Sequence, residues 1–237
     1  MLPALDIMET PTRRPLLALA LLVPAPSLGV LAGMVLFPGT ALGTALFAAS
    51  KVWLFAFPLL WLKFAERGPL SLSPVRQGGM RAGALSGAGI GLLIAAVYLA
   101  CGTRLIHTGV FVDRMRAIGL GTWPVFAGGA LYWILVNSVL EEYVWRWFVY
   151  TRCETLLRPA AAVVVSALCF TLHHFVAIRV YLPLPATLLC CAGVFAGGVI
   201  WSALYLRYRS IWPGYLSHAL ADLAVFAIGA RLLFSHS

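Results

Sequence analysis

The chain has 237 residues, 62% of them hydrophobic and 11% charged, and its apolar runs repeatedly exceed the roughly 18 residues that mark a spanning helix. This excludes a soluble globular enzyme and leaves room for about seven membrane helices joined by short loops, with no separate soluble domain. The net charge of +9 is scattered through those loops and forms no single patch, so it argues against nucleic acid and for the bilayer as the partner.

Taken in order, the first apolar segment covers 16–37. Arg13 and Arg14 before it resemble the start of a secretory signal, but the run is too long and lacks a small-residue cleavage site, so an uncleaved first helix is expected. Pro24 and Pro26 predict a kink in it. A second segment covers 41–64, and Lys51 within it reads as a snorkelling residue. Gly68-Pro69 to Gly78-Gly79 is a basic turn-rich loop. The third segment, 82–101, carries Gly83, Gly87 and Gly91 at four-residue spacing, the pattern of close helix packing. The stretch 102–122, with His107, Asp113, Arg114 and Arg116, reads as a loop holding a short interfacial helix. Segments at 123–150, 159–178, 184–206 and 212–234 complete an all-α polytopic bundle of about seven to eight helices. We divide it into N-terminal helices (1–122) and a core (123–234) within one membrane domain.

With the N-terminus cytoplasmic, Arg13, Arg14, Lys63, Arg67, Arg76, Arg81, Arg152, Arg158, Arg207 and Arg209 fall on the inner side. Arg104, Arg114, Arg116, Arg179 and Arg231 fall outside, so the charge bias favours N-in and C-out. Tyr143, Trp145, Trp147 and Tyr150 read as an aromatic belt near the inner headgroups. Cys101, Cys153, Cys169, Cys190 and Cys191 show no C-x-x-C spacing and indicate no disulfide framework or metal knuckle. His107 and His236 read as solvated.

The most informative stretch is Leu140–Val149, which places Glu141, Glu142 and Arg146 inside an apolar segment. A charge at membrane depth costs about 2.5–3.5 kcal/mol on insertion scales. Glu142 and Arg146 are one turn apart and can pair, while Asn137 and Glu141 share another face. Asn137 itself reads as a local hydrogen-bonding residue. Glu141 lies 16 residues before Leu157, about 24 Å along a helix; His174 lies 15 residues after Pro159, about 22 Å. An antiparallel hairpin therefore brings the two to one height. His173 adjoins His174 but points elsewhere and reads as a packing or supporting group, and the last segment stacks His218 and Asp222 at i and i+4. Burying Glu141, Glu142, Arg146, His174, His218 and Asp222 separately costs on the order of 10 kcal/mol, so one hydrated cavity is expected to collect them.

Glu141-Glu142…Arg146, Phe170…His174 and His218…Asp222 together resemble the CPBP intramembrane proteases, which include the type II CAAX prenyl endopeptidases. Their pattern is E-E-x-x-x-R, F-x-x-x-H and H-x-x-x-N, and the resemblance covers roughly residues 123–234. It implies a peptidase in which Glu141 activates water, His174 positions it and His218 with Asp222 stabilises the oxyanion, while Glu142 and Arg146 brace the site, with no cofactor. A zinc ion held by Glu141, His174 and His218 is the enzymatic alternative; a proton-coupled carrier or an inactive scaffold are the non-enzymatic ones. Asp222 replaces the commoner asparagine. An ionised aspartate cannot donate to an oxyanion, which leaves it protonated, orienting His218, or marking a subgroup. The implied substrate is a membrane-anchored or membrane-spanning peptide cut near the cytoplasmic interface. The Ala- and Arg-rich composition suggests a bacterial inner membrane.

Overall fold

In the computed structural model, residues 13–71 and 73–235 are described. Among them the chain is all helical, and seven helices are long and apolar enough to cross a membrane. We number them together with the ten-residue helix between the third and fourth spans: α1 Arg14–Leu36, α2 Ala41–Glu66, α3 Met80–Gly102, α4 Thr108–Ala117, α5 Trp123–Leu156, α6 Pro159–Tyr181, α7 Leu184–Tyr208 and α8 Trp212–Phe234. The α4 helix is the one expected in the 102–122 loop. α1 is interrupted at Val23, directly before Pro24, because proline cannot donate to the helical ladder. His107 is exposed, as expected, and His236 lies outside the described residues.

Helices in lipid gain little from the hydrophobic effect and associate through close packing of small residues and interhelical hydrogen bonds. Both occur where α3 meets α8. A side chain at Gly83 would run into the Pro213 carbonyl, and one at Gly87 would lie 2.7 Å from the Ser217 Cα, so the glycine stripe is what lets α8 approach. Ser86 donates to the Ser217 hydroxyl at 3.0 Å across this seam. Between α6 and α7, Ser166 and Ser202 pair at 2.9 Å. Trp53 on α2 donates to the Leu21 carbonyl on α1 at 3.0 Å.

α5 is the helix that these contacts surround, and its winding is irregular. A five-residue α-helical piece, Ser138–Glu142, sits between wider π turns at Tyr132–Asn137 and Tyr143–Tyr150. Such turns rotate the side chains around them and often accompany functional sites. The aromatic belt is overturned for two of its four members: Trp145 and Tyr150 are fully buried, while Tyr143 and Trp147 are partly exposed. Trp145 packs edge-on to Phe170, and Tyr150 packs against Tyr205. Their rings fill the space between helices, where apolar area is best used, and do not face headgroups.

Candidate active site

The charged residues of α5 converge with α6 and α8 at one depth. Glu142 is fully buried, and its Oε1 has two close nitrogen neighbours, Arg146 at 3.2 Å and His218 Nδ1 at 3.0 Å. A carboxylate only accepts, so Nδ1–H of His218 donates. The opposite nitrogen, Nε2, then faces Glu141 Oε2 at 3.7 Å and Asp222 Oδ2 at 3.8 Å. Both separations exceed a hydrogen bond, so neither carboxylate is saturated by the ring.

Three neighbours fix this geometry. The His218 ring lies flat on the Trp201 indole, centroids 3.9 Å apart and planes 14° apart, a favourable seat for a cation. The indole is itself anchored through Nε1–H to Ser217 Oγ at 3.0 Å. Arg146 lies over the Phe170 ring at 4.5 Å and near Trp201 at 5.1 Å. Its ion pair with Glu142 is close but not aligned as a hydrogen bond, and all three guanidinium nitrogens have no hydrogen-bond partner among the described residues. Glu142 Oε2 is likewise unpartnered, and a Cβ at Gly214 would come to 2.5 Å from it. Glycine at 214 leaves that oxygen its space.

On α6, His174 Nδ1 is 2.9 Å from the Phe170 carbonyl. The carbonyl can only accept, so the proton is on Nδ1 and the Nε2 lone pair is left free. One ligand atom from each of Glu141, His173 and His174 falls within 4.8 Å of the others. Glu141 and His174 thus meet at the height that helix counting predicts. The possible metal-binding trio differs from the expected Glu141, His174 and His218: the adjacent His173 takes the place of His218, whose ring is turned toward Glu142. A third-helix histidine already committed to a carboxylate is a poor candidate for a shared ligand. His173, Glu141 and the partly exposed His174 offer two nitrogens and one oxygen, a donor set that zinc accepts.

Asp222 is tied to α5 by Ser138, whose hydroxyl lies 2.8 Å from Oδ2 and 3.0 Å from the Trp133 carbonyl. Asp222 and His174 are only partly buried, whereas Glu141, Asn137, His173 and His218 are buried. The approach to the cluster is therefore on the His174 and Asp222 side. A separate cavity of about 270 Å³, lined by His107, Arg114, Arg179 and Tyr181 among others, lies beside α4 and includes none of these groups.

Sequence reading undervalued four residues. Asn137 is 3% exposed and lies one helical turn before Glu141 on α5. Lys51, read as snorkelling, is half-buried midway along α2, its ammonium 5.7 Å from the Phe47 ring. An isolated lysine midway along a 26-residue apolar span was the available signal. Ser138 and Trp201 gave none, because a serine and a tryptophan in apolar helices are ordinary.

Residues 123–224 match the family described as type II CAAX prenyl endopeptidase, Rce1-like. That span contains every residue of the cluster. No curated protein and no solved structure matches the chain. The motifs, their convergence on one depth of a seven-span bundle and the family match agree: residues 123–224 are similar to the Rce1-like type II CAAX prenyl endopeptidases.

Proposed function

We propose that the chain hydrolyses a peptide bond of a membrane-anchored substrate by glutamate-activated water, near the cytoplasmic interface of a bacterial inner membrane with the N-terminus inside. The observation that carries this reading is the spacing of Glu141 and His174: atoms within 4.8 Å are a span that one water bridges with two hydrogen bonds of about 2.8 Å. His174 Nε2 accepts a hydrogen bond from that water and orients it. Glu141 takes the other proton as the oxygen attacks the scissile carbonyl, then returns it to the leaving amine. Asn137 fixes the carboxylate. The oxyanion forms beside His218, whose Nδ1–H is held by Glu142 and whose Nε2–H is the donor. Arg146 neutralises Glu142. Asp222 acts through His218: its carboxylate, anchored by Ser138, keeps the Nε2 proton aimed into the site. Helical substrate must unwind locally before the bond is reachable, since its own hydrogen bonds protect it.

The test is cleavage of a prenylated peptide by purified, reconstituted protein. Glu141→Gln keeps the size and hydrogen-bonding of the side chain but not its basicity, and a rate loss of about 10²–10⁴-fold is expected with the thermal unfolding midpoint unchanged. A folded Glu141→Gln protein that cleaves at the normal rate contradicts the assignment.

A second reading is favoured by one observation, the donor trio Glu141, His173 and His174. These residues would hold zinc, which when bound polarises a carbonyl or lowers the pKa of a bound water. Metal analysis of the purified protein separates the two readings: stoichiometric zinc whose removal abolishes cleavage, restored on readdition, supports the second. Activity that is constant through chelation supports the first.

A further inference from the structure

The cavity of about 270 Å³ beside α4 lies at the end of the bundle opposite the start of α1, and three elements line it. His107, Val110, Phe111 and Arg114 recur at three- and four-residue spacing, so they present one face of α4 and its N-cap. The last turn of α6 adds Arg179 and Tyr181, and the connection into α7 closes the cavity at Leu184. Its volume is several times the ~30 Å³ share of one liquid water. That is room for a phosphate group and the carbons attached to it, and too little for a folded peptide segment.

The lining divides by chemistry. Arg114 and Arg179 both belong to it, and no carboxylate among the described residues forms an ion pair with either. Arg179 donates from Nη1 to the Leu182 carbonyl at 3.1 Å, which holds its head over the α6–α7 connection. Its remaining donors, out of five on a guanidinium, have no partner among the described residues. A single arginine without an acid is ordinary at a helix end, but two that share a cavity repel each other unless an anion stands between them. The one acid of α4, Asp113, is not in the lining. His107 makes no side-chain cap bond, so its ring is uncommitted as well. Opposite these groups the lining is apolar, and its members Val110 and Leu184 are 50% and 48% exposed. Because α6 ends at Tyr181 and α7 begins at Leu184, the cavity sits at headgroup depth.

We propose that this cavity binds the phosphodiester headgroup of an anionic phospholipid, clamped between Arg114 and Arg179, with its acyl stem leaving past Val110 and Leu184. The arginine fork matches phosphate oxygens, and basic pockets at the ends of spanning helices select such headgroups. A free phosphate meets the two guanidiniums but leaves the apolar half of the cavity unused. A zwitterionic lipid brings an amine to a place that already holds two cations. The arginines stand on different elements, so one headgroup ties α4, which packs on α8, to the end of α6. Arg179 is five residues beyond His174, about 7.5 Å along the helix, and the bound lipid thereby steadies the helix that carries that histidine. The inference uses no group of the proposed peptidase site and stands independently of it.

The experiment gives the full chain, purified in detergent, equal amounts of phosphatidylglycerol and phosphatidylcholine and counts the lipid retained on the folded protein by native mass spectrometry. A second arm adds inorganic phosphate as competitor. Phosphatidylglycerol is expected to be retained about tenfold over phosphatidylcholine, the effect of one charge-assisted hydrogen bond, and inorganic phosphate should not displace it. Arg114→Gln with Arg179→Gln should bring the ratio close to one, and each single variant should fall between. Arg114→Lys with Arg179→Lys keeps the charge without the fork and should preserve part of the preference. Arg116→Gln, on the same helix but outside the lining, should leave the ratio unchanged. Because the ratio is read on folded protein, altered stability in a variant does not change its meaning. No preference in the unaltered chain, an unchanged ratio in the double Gln variant, or an equal fall in Arg116→Gln overturns the proposal. Displacement of the lipid by inorganic phosphate assigns the cavity to a free anion and overturns it too.

Discussion

Two sets of glutamate–arginine pairs occupy α5, and they are built differently. Near its C-terminal end, Arg209 grips Glu154 with two hydrogen bonds of 2.6 and 2.7 Å, and Tyr150 adds a third to the same carboxylate at 2.9 Å. Those bonds hold the Arg209 guanidinium above its ordinary range. Arg152 grips Glu66 at 2.6 and 3.2 Å and bonds the Thr151 hydroxyl as well. Deep in the bundle, by contrast, Arg146 touches Glu142 once and out of alignment, leaving buried donors and an acceptor unpartnered. Buried polar groups in a folded protein are almost always satisfied. The saturated pairs fasten helices, α2 and α7 to α5; the unsaturated one leaves hydrogen-bonding capacity unspent beside Glu141 and His218.

The largest effect that separates the two sets is expected at Arg146. Arg146→Leu strands the buried Glu142 carboxylate, and loss of one partner of a buried ion pair costs about 3–5 kcal/mol. Its midpoint in a thermal unfolding series should fall steeply and activity should vanish. The informative companion is the double replacement Glu142→Leu with Arg146→Leu. Removing both charges is neutral or stabilising by about 1–4 kcal/mol when a pair is not structural, so this protein should regain stability and stay inactive. Recovery of activity in the double variant contradicts a role for Glu142 in holding His218.

Gly214→Ala is the next test. It inserts a methyl group 2.5 Å from Glu142 Oε2, where the α8 backbone cannot easily withdraw. Overpacking of this kind costs about 1–3 kcal/mol. Because the displaced atom belongs to the carboxylate that holds His218, kcat should fall by more than that stability loss explains, and comparison of the two measurements at one temperature checks it. Asp222 provides a finer distinction on the same ring. Asp222→Leu removes the group aimed at His218 and should cost about a hundredfold in rate, on the scale of one lost oxyanion-stabilising interaction. Asp222→Asn retains an acceptor for the Nε2 proton and should stay within about tenfold of the unaltered protein. Equal rates for Asn and Leu at 222 contradict the acceptor role.

The sequence made much of this arrangement legible because charges in apolar helices are conspicuous and helix geometry converts spacing into height. Seven spans were readable with ends within about six residues, and Glu141, Glu142, Arg146, His174, His218 and Asp222 were all singled out. The glycine stripe on α3 was read correctly for the same reason, since four-residue spacing reports one face. What escaped was rotational. The π turns around Ser138–Glu142 shift side chains off ideal α-helical positions, and a pattern written at 3.6 residues per turn does not contain them. Trp145 and Tyr150 were placed at the headgroups because depth alone was used, whereas their orientation toward α6 and α7 decides burial. The exchange of His173 for His218 in the ligand trio has the same origin: the last spans offer three histidines, and the turn of His218 toward Glu142 selects which two remain beside Glu141.

The smallest expected effect lies at the saturated pair, and it completes the contrast. Arg209 is the more exposed partner, its side chain 45% accessible against 23% for Glu154, and exposed ion pairs are worth about 0.2–1 kcal/mol after screening. Arg209→Gln should therefore lower the unfolding midpoint only slightly, by an amount that shrinks further as salt is raised. Cleavage should be unchanged, because Arg209 caps the C-terminal end of α7 in the left-handed conformation, φ 49°, and touches no group of the site. Glutamine retains the ability to bond Glu154 but must adopt the same positive φ, so Arg209→Gly is the useful second variant: it loses the ion pair and relieves the backbone. Arginine and glutamine share the cost of the positive φ, so a loss in Arg209→Gln measures the pair, and any stability of Arg209→Gly above Arg209→Gln measures the backbone relief. A fall in activity in either variant without loss of fold would break the division between fastening and working charges on α5.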